Sequence, residues 1–594
     1  MYLARVWCLA FLFSAAGLSM AIAQTVEEAQ PAETGASVAD AAAAADAADA
    51  AADKPQLGLR YDAVFREADE TISRQIDADL IDLDALREAI ESSLNLTEIR
   101  LSLNDCILLA LDRNPDILLA EFEPRKLDGD LLTARGEFDP VFNTDILYNE
   151  SSTVASQQLI VFGGISSIES YTTTMEAGVG GKLHTGAMYS LSLAMNDDES
   201  TFGKFIEEWD GLLTLSLTQP ILRGFGPTVN KVRIKQAHNA RIAAEAQLKA
   251  TVMNTAASVV KAYWDLVGAI ESVTVRQESL ENAERLLHIN ETRRQIGTAA
   301  DIDVLQAKAG VATRQSELIA ARAAVGHAED ALKQLLDIRD GDLFSSARII
   351  PTDRPGFAPA TWMEPGNLEA QVQLSVERAL RNRPELQASQ IEIENAELEE
   401  MRTRNQMLPQ LDIVGAYGQG GRDHKPRQVF YGMRQGEVDT MSVGIQGSIP
   451  LGNRAARGQH LRAQLGREQA EQRFENVRQG LMVNVHVAMR NVFANQTLVE
   501  STRQAREFQE VNVIAEEKRL RLGVTTSYQV LLVQQDLTLA QTQELQSLIN
   551  YQKALVDLQL AEGTILDNLG VVFEPPDAAK PVGFIDAVTP RWDW

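Results

Sequence analysis

Residues 213–226 read LTLSLTQPILRGFG. Leu213, Leu215 and Leu217 alternate with Thr214, Ser216 and Thr218, the period of a strand with one apolar and one polar face. Pro220, Gly224, Gly226 and Pro227 then stop the strand. Beyond them a helical pattern runs from 228 to 296, with no proline before Pro351. At 1.5 Å per residue that helix is roughly 100 Å long. A short strand feeding so long a helix is unusual, and the rest of the chain explains it.

The totals bound the answer. Aromatics are only 6%, and Ala, Gln, Glu, Leu and Arg crowd the middle, which suits long helices. The formal charge of −28 and the lack of a basic stripe exclude nucleic acid as a partner. Residues 1–23 read as a signal peptide: Arg5 opens it, Val6–Ala16 is mostly apolar, and Ala21-Ile22-Ala23 is a small-x-small cleavage site. The alternative is an uncleaved membrane anchor. Cys8 lacks the small, apolar approach of a lipidation site. Once the signal is removed Cys106 is the only cysteine, so no internal disulfide forms, and its apolar helical surroundings mark a buried small side chain. Past residue 24 no apolar run reaches the roughly eighteen residues of a transmembrane helix. An exported chain of this kind is periplasmic, secreted, or an outer-membrane β-barrel.

Residues 24–95 form an acidic, Ala/Asp-rich extension; VADAAAAADAADAAADK at 38–54 cannot bury enough surface to fold alone. The body then repeats itself. Leu111-Asp112-Arg113-Asn114-Pro115 returns as Leu380-Arg381-Asn382-Arg383-Pro384. Pro140 and Tyr148 return as Pro409 and Tyr417, LTLSLTQP returns as MSVGIQGSIP, and RRQIGTAADIDVLQAKA returns as RLRLGVTTSYQVLLVQQ. The repeats span 96–337 and 373–566, joined by a linker at 338–372 and followed by a tail at 567–594. Each copy predicts an opening helix, two strands, a very long helix, a glycine turn and a shorter return helix. The opening helix, 101–134, is roughly 50 Å and the return, 299–337, roughly 58 Å. Stacked end to end, they match the long helix and make a uniform wall. The return helix carries a heptad seam, from Val304 and Ala307 to Leu332 and Leu335, interrupted by Arg314. Periodicity alone allows an antiparallel coiled coil without a lumen.

The strands point elsewhere. Phe142, Thr144, Ile146 and Tyr148 share one face, and Asn143, Asp145 and Asn149 the other. In the second copy Leu411, Ile413, Tyr417, Val443, Ile445 and Ile449 are apolar against Asp412, Ser442, Gln446 and Ser448. Apolar-out, polar-in strands suit a membrane barrel around water. Two hairpins cannot close a barrel and open edges cannot stand in lipid, so the chain must associate, most simply as a ring. The stretch TTTMEAGVGGKLHTGAMYSLSLAM, 172–195, looks like another hairpin turning near Lys182–Gly186, which either lengthens an outside loop or adds two strands. The paired repeats favour four strands per chain.

These motifs resemble the TolC-like outer membrane factor family, the exit ducts of tripartite efflux pumps and type I secretion systems. The resemblance rests on the paired openings at Leu101–Pro115 and Leu374–Pro384, on LTQPILRGFG at 217–226, and on the paired turns at Arg293–Ala307 and Arg519–Val533, and it covers about residues 97–566. It implies an α+β membrane protein: a homotrimer with a β-barrel in outer-membrane lipid, continued by a periplasmic α-helical barrel with an equatorial belt from 338–372 and the chain ends. It implies a passive conduit without a cofactor, served by a periplasmic adaptor (membrane fusion) protein and an inner-membrane transporter. It also implies that the turns at Gly297 and Gly523 face the adaptor and form a constriction.

At those turns Asp301 and Asp303 follow Gly297, while Arg519 and Arg521 precede Gly523. Opposite charges on hairpins meeting in a ring could hold the constriction shut, and because single exposed pairs contribute roughly 0–1 kcal/mol only a symmetric network would act as a gate. Family members with an acidic ring carry aspartates six and nine residues after the second-copy glycine; here those positions are Gln529 and Leu532. Asp303 sits six residues after Gly297, which leaves room for a weaker ring. Nothing looks catalytic. The histidines at 184, 238, 288, 327, 424, 460 and 486 lack ligand spacing, and GVGGKLHTG at 178–186 lacks phosphate-loop spacing. The rival readings are a periplasmic coiled-coil spacer without a pore and an exported enzyme on a helical stalk.

Overall fold

The computed structural model describes residues 59–60, 98–155, 166–200, 208–338, 347–357 and 368–577. The signal peptide, all but Leu59–Arg60 of the Ala/Asp-rich extension, two stretches of the 338–372 linker and the tail beyond Asp577 lie outside the described residues. In chain order the elements begin with β1 (Leu59–Arg60), β2 (Glu98–Leu101), α1 (Leu103–Arg113) and α2 (Pro115–Gly136). Next come β3 (Val141–Val154), β4 (Ser167–Lys182), β5 (Met188–Ser200), β6 (Glu208–Pro220), α3 (Pro227–Asn230), α4 (Val232–Gln295) and α5 (Asp301–Leu335). The second half holds β7 (Arg348–Pro351), α6 (Leu368–Asn382), α7 (Pro384–Gln406), β8 (Gln410–Asp423), α8 (Pro426–Gln435) and β9 (Val438–Ser448). It ends with α9 (Arg454–Arg521), α10 (Ser527–Glu562), α11 (Ile565–Asn568) and β10 (Val572–Phe573).

The opening helix is not one helix. It breaks at Asn114, whose φ of −59° and ψ of 125° are those of a residue held extended by the following proline. Pro115 has no N–H to continue the ladder and instead starts α2. The second copy breaks likewise at Arg383 before Pro384. Only α2 and α7 therefore stack on the return helices. The 35-residue α5 and 22-residue α2 together flank the 64-residue α4. The 36-residue α10 and 23-residue α7 flank the 68-residue α9. The helices thus form four columns, in the order α5/α2, α4, α10/α7, α9.

The main core surrounds the middle of α4. Val252, Val259, Tyr263 and Leu266 meet Cys106, Ile107 and Leu109 of α1, Leu332 of α5, and Ile349 of β7. Cys106 is fully buried. At that level β2 and β7 pair in parallel, and β1 and β10 antiparallel. Tyr263 ties the level together: its hydroxyl donates to the Asp353 carboxylate at 2.7 Å, which also accepts the Leu103 N–H at 2.8 Å.

The sheet has six strands, not four, in the order β3-β4-β5-β6-β8-β9, all antiparallel. The stretch 172–195 is a full hairpin, β4–β5, because its alternation continues over both arms and Gly186, at φ 92°, turns the chain tightly between them. Register aligns the apolar rows. Ile146, Met175 and Met195 stand side by side, as do Leu193 and Leu213, Leu215 and Tyr417, and Ile413 and Ile445. Leu191, Leu215, Leu217, Val443 and Ile445 on this face are all exposed. The other face carries rows such as Ser192–Thr214 and Ser442–Ala416, with Ser190 and Ser216 joined at 2.6 Å and Asn196 donating to Asp210 at 3.2 Å.

A tight joint carries the sheet into the helices. The Ile221 N–H still bonds the Leu411 carbonyl at 2.8 Å, after which Gly224 and Gly226 turn at φ 81° and 95°. Gly224 N–H donates to Asn405 Oδ1 at 2.7 Å, and Asn230 Nδ2 donates to both glycine carbonyls. The Gly226 N–H donates to the Thr185 carbonyl of the β4–β5 turn, so the extra hairpin is anchored on the joint.

Candidate functional site

The chain presents a wall with two open sides, and they coincide. In the sheet the outer strands are β3 and β9. In the helices the outer columns are α5/α2 and α9. The chain runs directly from α2 into β3 and from β9 into α9, so each open sheet edge sits on an open helical column. Exposed large apolar side chains line both open sides: Phe142 and Leu147 on β3, Met441 and Val443 on β9, Ile319 on α5, and Phe508 and Val511 on α9. β3 leaves the helices and β9 returns to them, so β9 of one copy can pair antiparallel with β3 of the next. Unpaired strand edges cannot stand in lipid.

The far ends of the helices hold the two hairpin tips. Gly297 and Gly523 take φ of 78° and 72°, the left-handed region that closes a helix end at little steric expense. Both close it alike. Gly297 N–H donates to Arg294 O and Thr298 N–H to Arg293 O; Gly523 N–H donates to Leu520 O and Val524 N–H to Arg519 O. Ile296 and Leu522 beside the glycines are exposed.

The tip charges are engaged within their own hairpins. Asp301 pairs with Arg294 at 2.7 Å in open solvent. Asp303 accepts the Ala300 N–H at 3.1 Å and caps α5. Arg519 pairs with Glu516 at 3.0 Å, and Glu516 also accepts from the Thr525 hydroxyl. Gln529 donates its N–H to Thr526 Oγ1 at 3.3 Å in the cap of α10. Arg521 is exposed beside the cleft between the hairpins. Within one chain the aspartates and arginines of opposite hairpins are not brought together.

Near the tips the hairpins are joined by buried hydroxyl and amide groups, and nearer the middle of α4 by the ion pairs Lys553–Asp265 and Lys261–Asp557. Ser527 Oγ donates to Asn290 Oδ1 at 2.6 Å, and Thr538 Oγ1 donates to Ser279 Oγ at 3.0 Å. Leu286, Leu520, Val530 and Leu531 pack around the first of these. Arg314, which interrupts the heptad seam, is buried, and its guanidinium reaches the Leu531 carbonyl only at 3.5 Å. Its Nε has no partner, and burial pushes its pKa below the ordinary arginine value. The sequence signal for Arg314 was its place in an apolar seam; Asn290 and Ser527 carry no such signal, because polar residues are common on long exposed helices.

Among the described residues no group of three or more His, Cys, Asp or Glu side chains could hold a metal ion, and no helix is long and apolar enough to cross a membrane. His184 stacks on Phe138 at 4.5 Å at the sheet–helix joint.

Comparison with known proteins settles the family. The model of the outer membrane efflux protein family matches residues 106–337 and 375–564, the two repeats. The outer membrane efflux protein BepC of Brucella suis biovar 1 (strain 1330) is 24% identical over 393 residues, 64% of this chain and 78% of that protein. The fold is similar to that of the outer membrane channel CmeC of Campylobacter jejuni, with a TM-score of 0.54 and 17% identity over 78% of this chain and 86% of the other. It is also similar to the outer membrane protein VceC of Vibrio cholerae, with a TM-score of 0.54 and 19% identity over 80% and 97% of the two chains. The chain belongs to the outer membrane efflux protein family, a family of channels rather than enzymes, and its place is the outer membrane with a long periplasmic extension.

Proposed function

We propose that three copies close edge to edge into a passive exit duct for a tripartite efflux pump or a type I secretion system. The observation that supports this most is the coincidence of open sheet edges with open helical columns: one rotation satisfies both layers. Three six-stranded sheets would make an eighteen-stranded barrel, wide enough for an aqueous channel. The polar sheet face would line it and the apolar face would meet lipid.

The same reading gives the tips two tasks. The turns at Gly297 and Gly523, with exposed Ile296 and Leu522, would meet a periplasmic adaptor that links the duct to an inner-membrane transporter. Asp301, Asp303, Arg519, Arg521 and Gln529 would form the constriction between neighbouring chains. Asp301 and Arg294 form an exposed pair worth roughly 0–1 kcal/mol, so exchanging Asp301's partner for a neighbour's charge is energetically easy. Arg519 is held by the buried Glu516 carboxylate, and releasing it costs more.

The test is planar-bilayer conductance of detergent-extracted protein whose mass has been measured. A trimer giving small discrete currents, enlarged when Asp301, Asp303, Arg519 and Arg521 all become alanine, supports duct and gate. Equal currents remove the gate and keep the duct. Well-inserted protein without currents removes the duct.

A further inference from the structure

Helix α8 lies between β8 and β9, at the end of the sheet away from the helical columns. It packs on the apolar face. Gly211 and Gly421 are directly paired on β6 and β8, on the face that carries Leu213, Leu215 and Leu217. A Cβ on Gly421 would come within 2.5 Å of the Val429 carbonyl oxygen, and one on Gly211 within 2.8 Å of Val429 Cγ1. The two glycines form a saddle that lets the helix backbone touch the sheet. Val429 and Met433 fill it against Met195 and Trp209, and all four side chains are buried.

The opposite side of α8 carries a different stripe. Arg427, Tyr431 and Arg434 follow at i, i+4 and i+7, one line on a helix, and all three are exposed. Exposed Lys425 precedes them and the helix contains no acidic residue. Among the described residues no carboxylate is within ion-pair distance of Lys425, Arg427 or Arg434; Arg422 is the neighbour that is paired, with Glu208 at 3.7 Å. Asp423 and Asp439 on the flanking strands and Glu437 in the turn before β9 lie on either side of the helix, where Asp423 accepts the Lys425 N–H and Asp439 the Tyr417 hydroxyl.

Because α8 sits on the lipid-facing side, its outward stripe points away from the channel axis. Its level is the upper margin of the Leu213–Leu217 band, where a membrane gives way to headgroups. An amphipathic helix with cations flanking an aromatic ring at that depth suits an interface. We infer that α8 is an interfacial anchor whose Arg427–Tyr431–Arg434 stripe, with Lys425, binds the phosphate of anionic lipid at the outer surface. The ring would lie among the acyl-chain ends while the arginine stems extend to the phosphates. Cations beside an anionic surface attract it by Coulomb forces that salt screens. The inference rests on the outer-membrane placement and on α8, and not on the number of copies in the duct.

The experiment places a bimane label on Gln428→Cys, exposed on the flank of α8 and outside the stripe. Cys106 is buried and does not compete for label, and Cys8 is replaced by serine so that it cannot. The labelled full chain is inserted in phosphatidylcholine vesicles with and without phosphatidylglycerol, and trimer or monomer state is recorded beforehand. The expected result is loss of iodide quenching and gain of quenching by headgroup-level nitroxide lipid, both stronger with phosphatidylglycerol and weakened by salt. The triple variant Lys425→Ala, Arg427→Ala, Arg434→Ala, which alters only exposed side chains, should respond equally to both vesicle types. Iodide access unchanged from detergent to vesicles would place α8 over the mouth or against another chain and overturn the anchor. Shielding that is identical in both vesicle types would overturn the anionic-lipid assignment.

Discussion

The side-chain amide of Asn114 donates to the carbonyl of Leu335 at 2.9 Å, joining the start of α2 to the end of α5 across 221 residues of chain. The second copy makes the same joint with different chemistry: Arg383 Nη1 donates to the Leu560 carbonyl at 2.7 Å, between α7 and α10. A helix ends with orphan carbonyls, and the next helix in each column begins with orphan N–H groups. Asn114 serves both, since its Oδ1 accepts the Asp116 N–H at 2.9 Å while its amide satisfies Leu335. The end-to-end columns are thus bonded, not merely aligned.

Replacing Asn114 by alanine removes an N-cap and a buried hydrogen bond together. The expected loss is about 2 kcal/mol. Hydrogen exchange at residues 116–118 and 333–338 should accelerate while the hairpin tips keep their protection. Uniform acceleration along the chain would show that the joint has no local role.

The paired faces of β6 make opposite predictions for one substitution. Leu215→Arg puts a cation on the lipid side and should cost about 2–4 kcal/mol near the bilayer midplane. Thr214→Arg puts it on the polar side beside Ser192 and should leave insertion unchanged while shifting ion selectivity toward anions. Protease protection in reconstituted vesicles and reversal potentials measure the two effects. If Thr214→Arg blocks insertion and Leu215→Arg does not, the faces are assigned backwards.

Much of this was legible in the sequence because it repeats. Alternation in LTLSLTQP and MSVGIQGSIP reported face polarity, and Gly297 and Gly523 marked the turns. The β4–β5 hairpin was visible as a pattern, but with no counterpart in the second copy the repeat argued against counting it. Pro115 was equally visible as a residue. Its consequence, a break that turns α1 away, depends on whether the flanking helices share an axis, and heptad spacing does not encode that. The tip failed differently. Sequence places charges but not their partners, and Arg294 and Glu516 were nearer to Asp301 and Arg519 than the opposite hairpin was.

Two substitutions at the tip should move conductance in opposite directions. Ser527→Ala leaves Asn290 Oδ1 buried without its donor, a loss of about 1–3 kcal/mol in the contact between hairpins. Arg314→Met removes a buried charge that is poorly bonded and fills the seam with apolar volume, a change that is commonly neutral or stabilising. If hairpins separate on opening, the first variant should open more often and the second less often in single-channel records. Equal shifts in both would mean that the contact between α4, α5 and α10 does not move during opening.

The core around Cys106 and Tyr263 should make the protein sensitive to alkali. Burial, aided by Asp105 and Asp353, pushes the Cys106 thiol from 9.0 up to about 12. Burial likewise raises the Tyr263 hydroxyl above its ordinary value of 10.0. Both groups are neutral when protonated, and the fold favours that form. At pH 7 both groups are almost wholly protonated in the folded and the unfolded chain, so neither makes stability depend on pH there. As pH rises through 9 and then 10 the unfolded chain loses these protons while the folded chain keeps them, so stability falls until the folded values are reached. Thermal unfolding temperature should therefore be flat between pH 7 and 8 and decline from pH 9 to 11. Cys106→Ala should flatten the first part of that decline, despite a loss of baseline stability from the smaller side chain, and Tyr263→Phe the later part. Maleimide should leave Cys106 unmodified in folded protein at pH 8 and modify it promptly in urea. Prompt modification of the folded chain at pH 8 would show that this core opens readily, and a decline unchanged in both variants would assign the alkaline sensitivity to other groups.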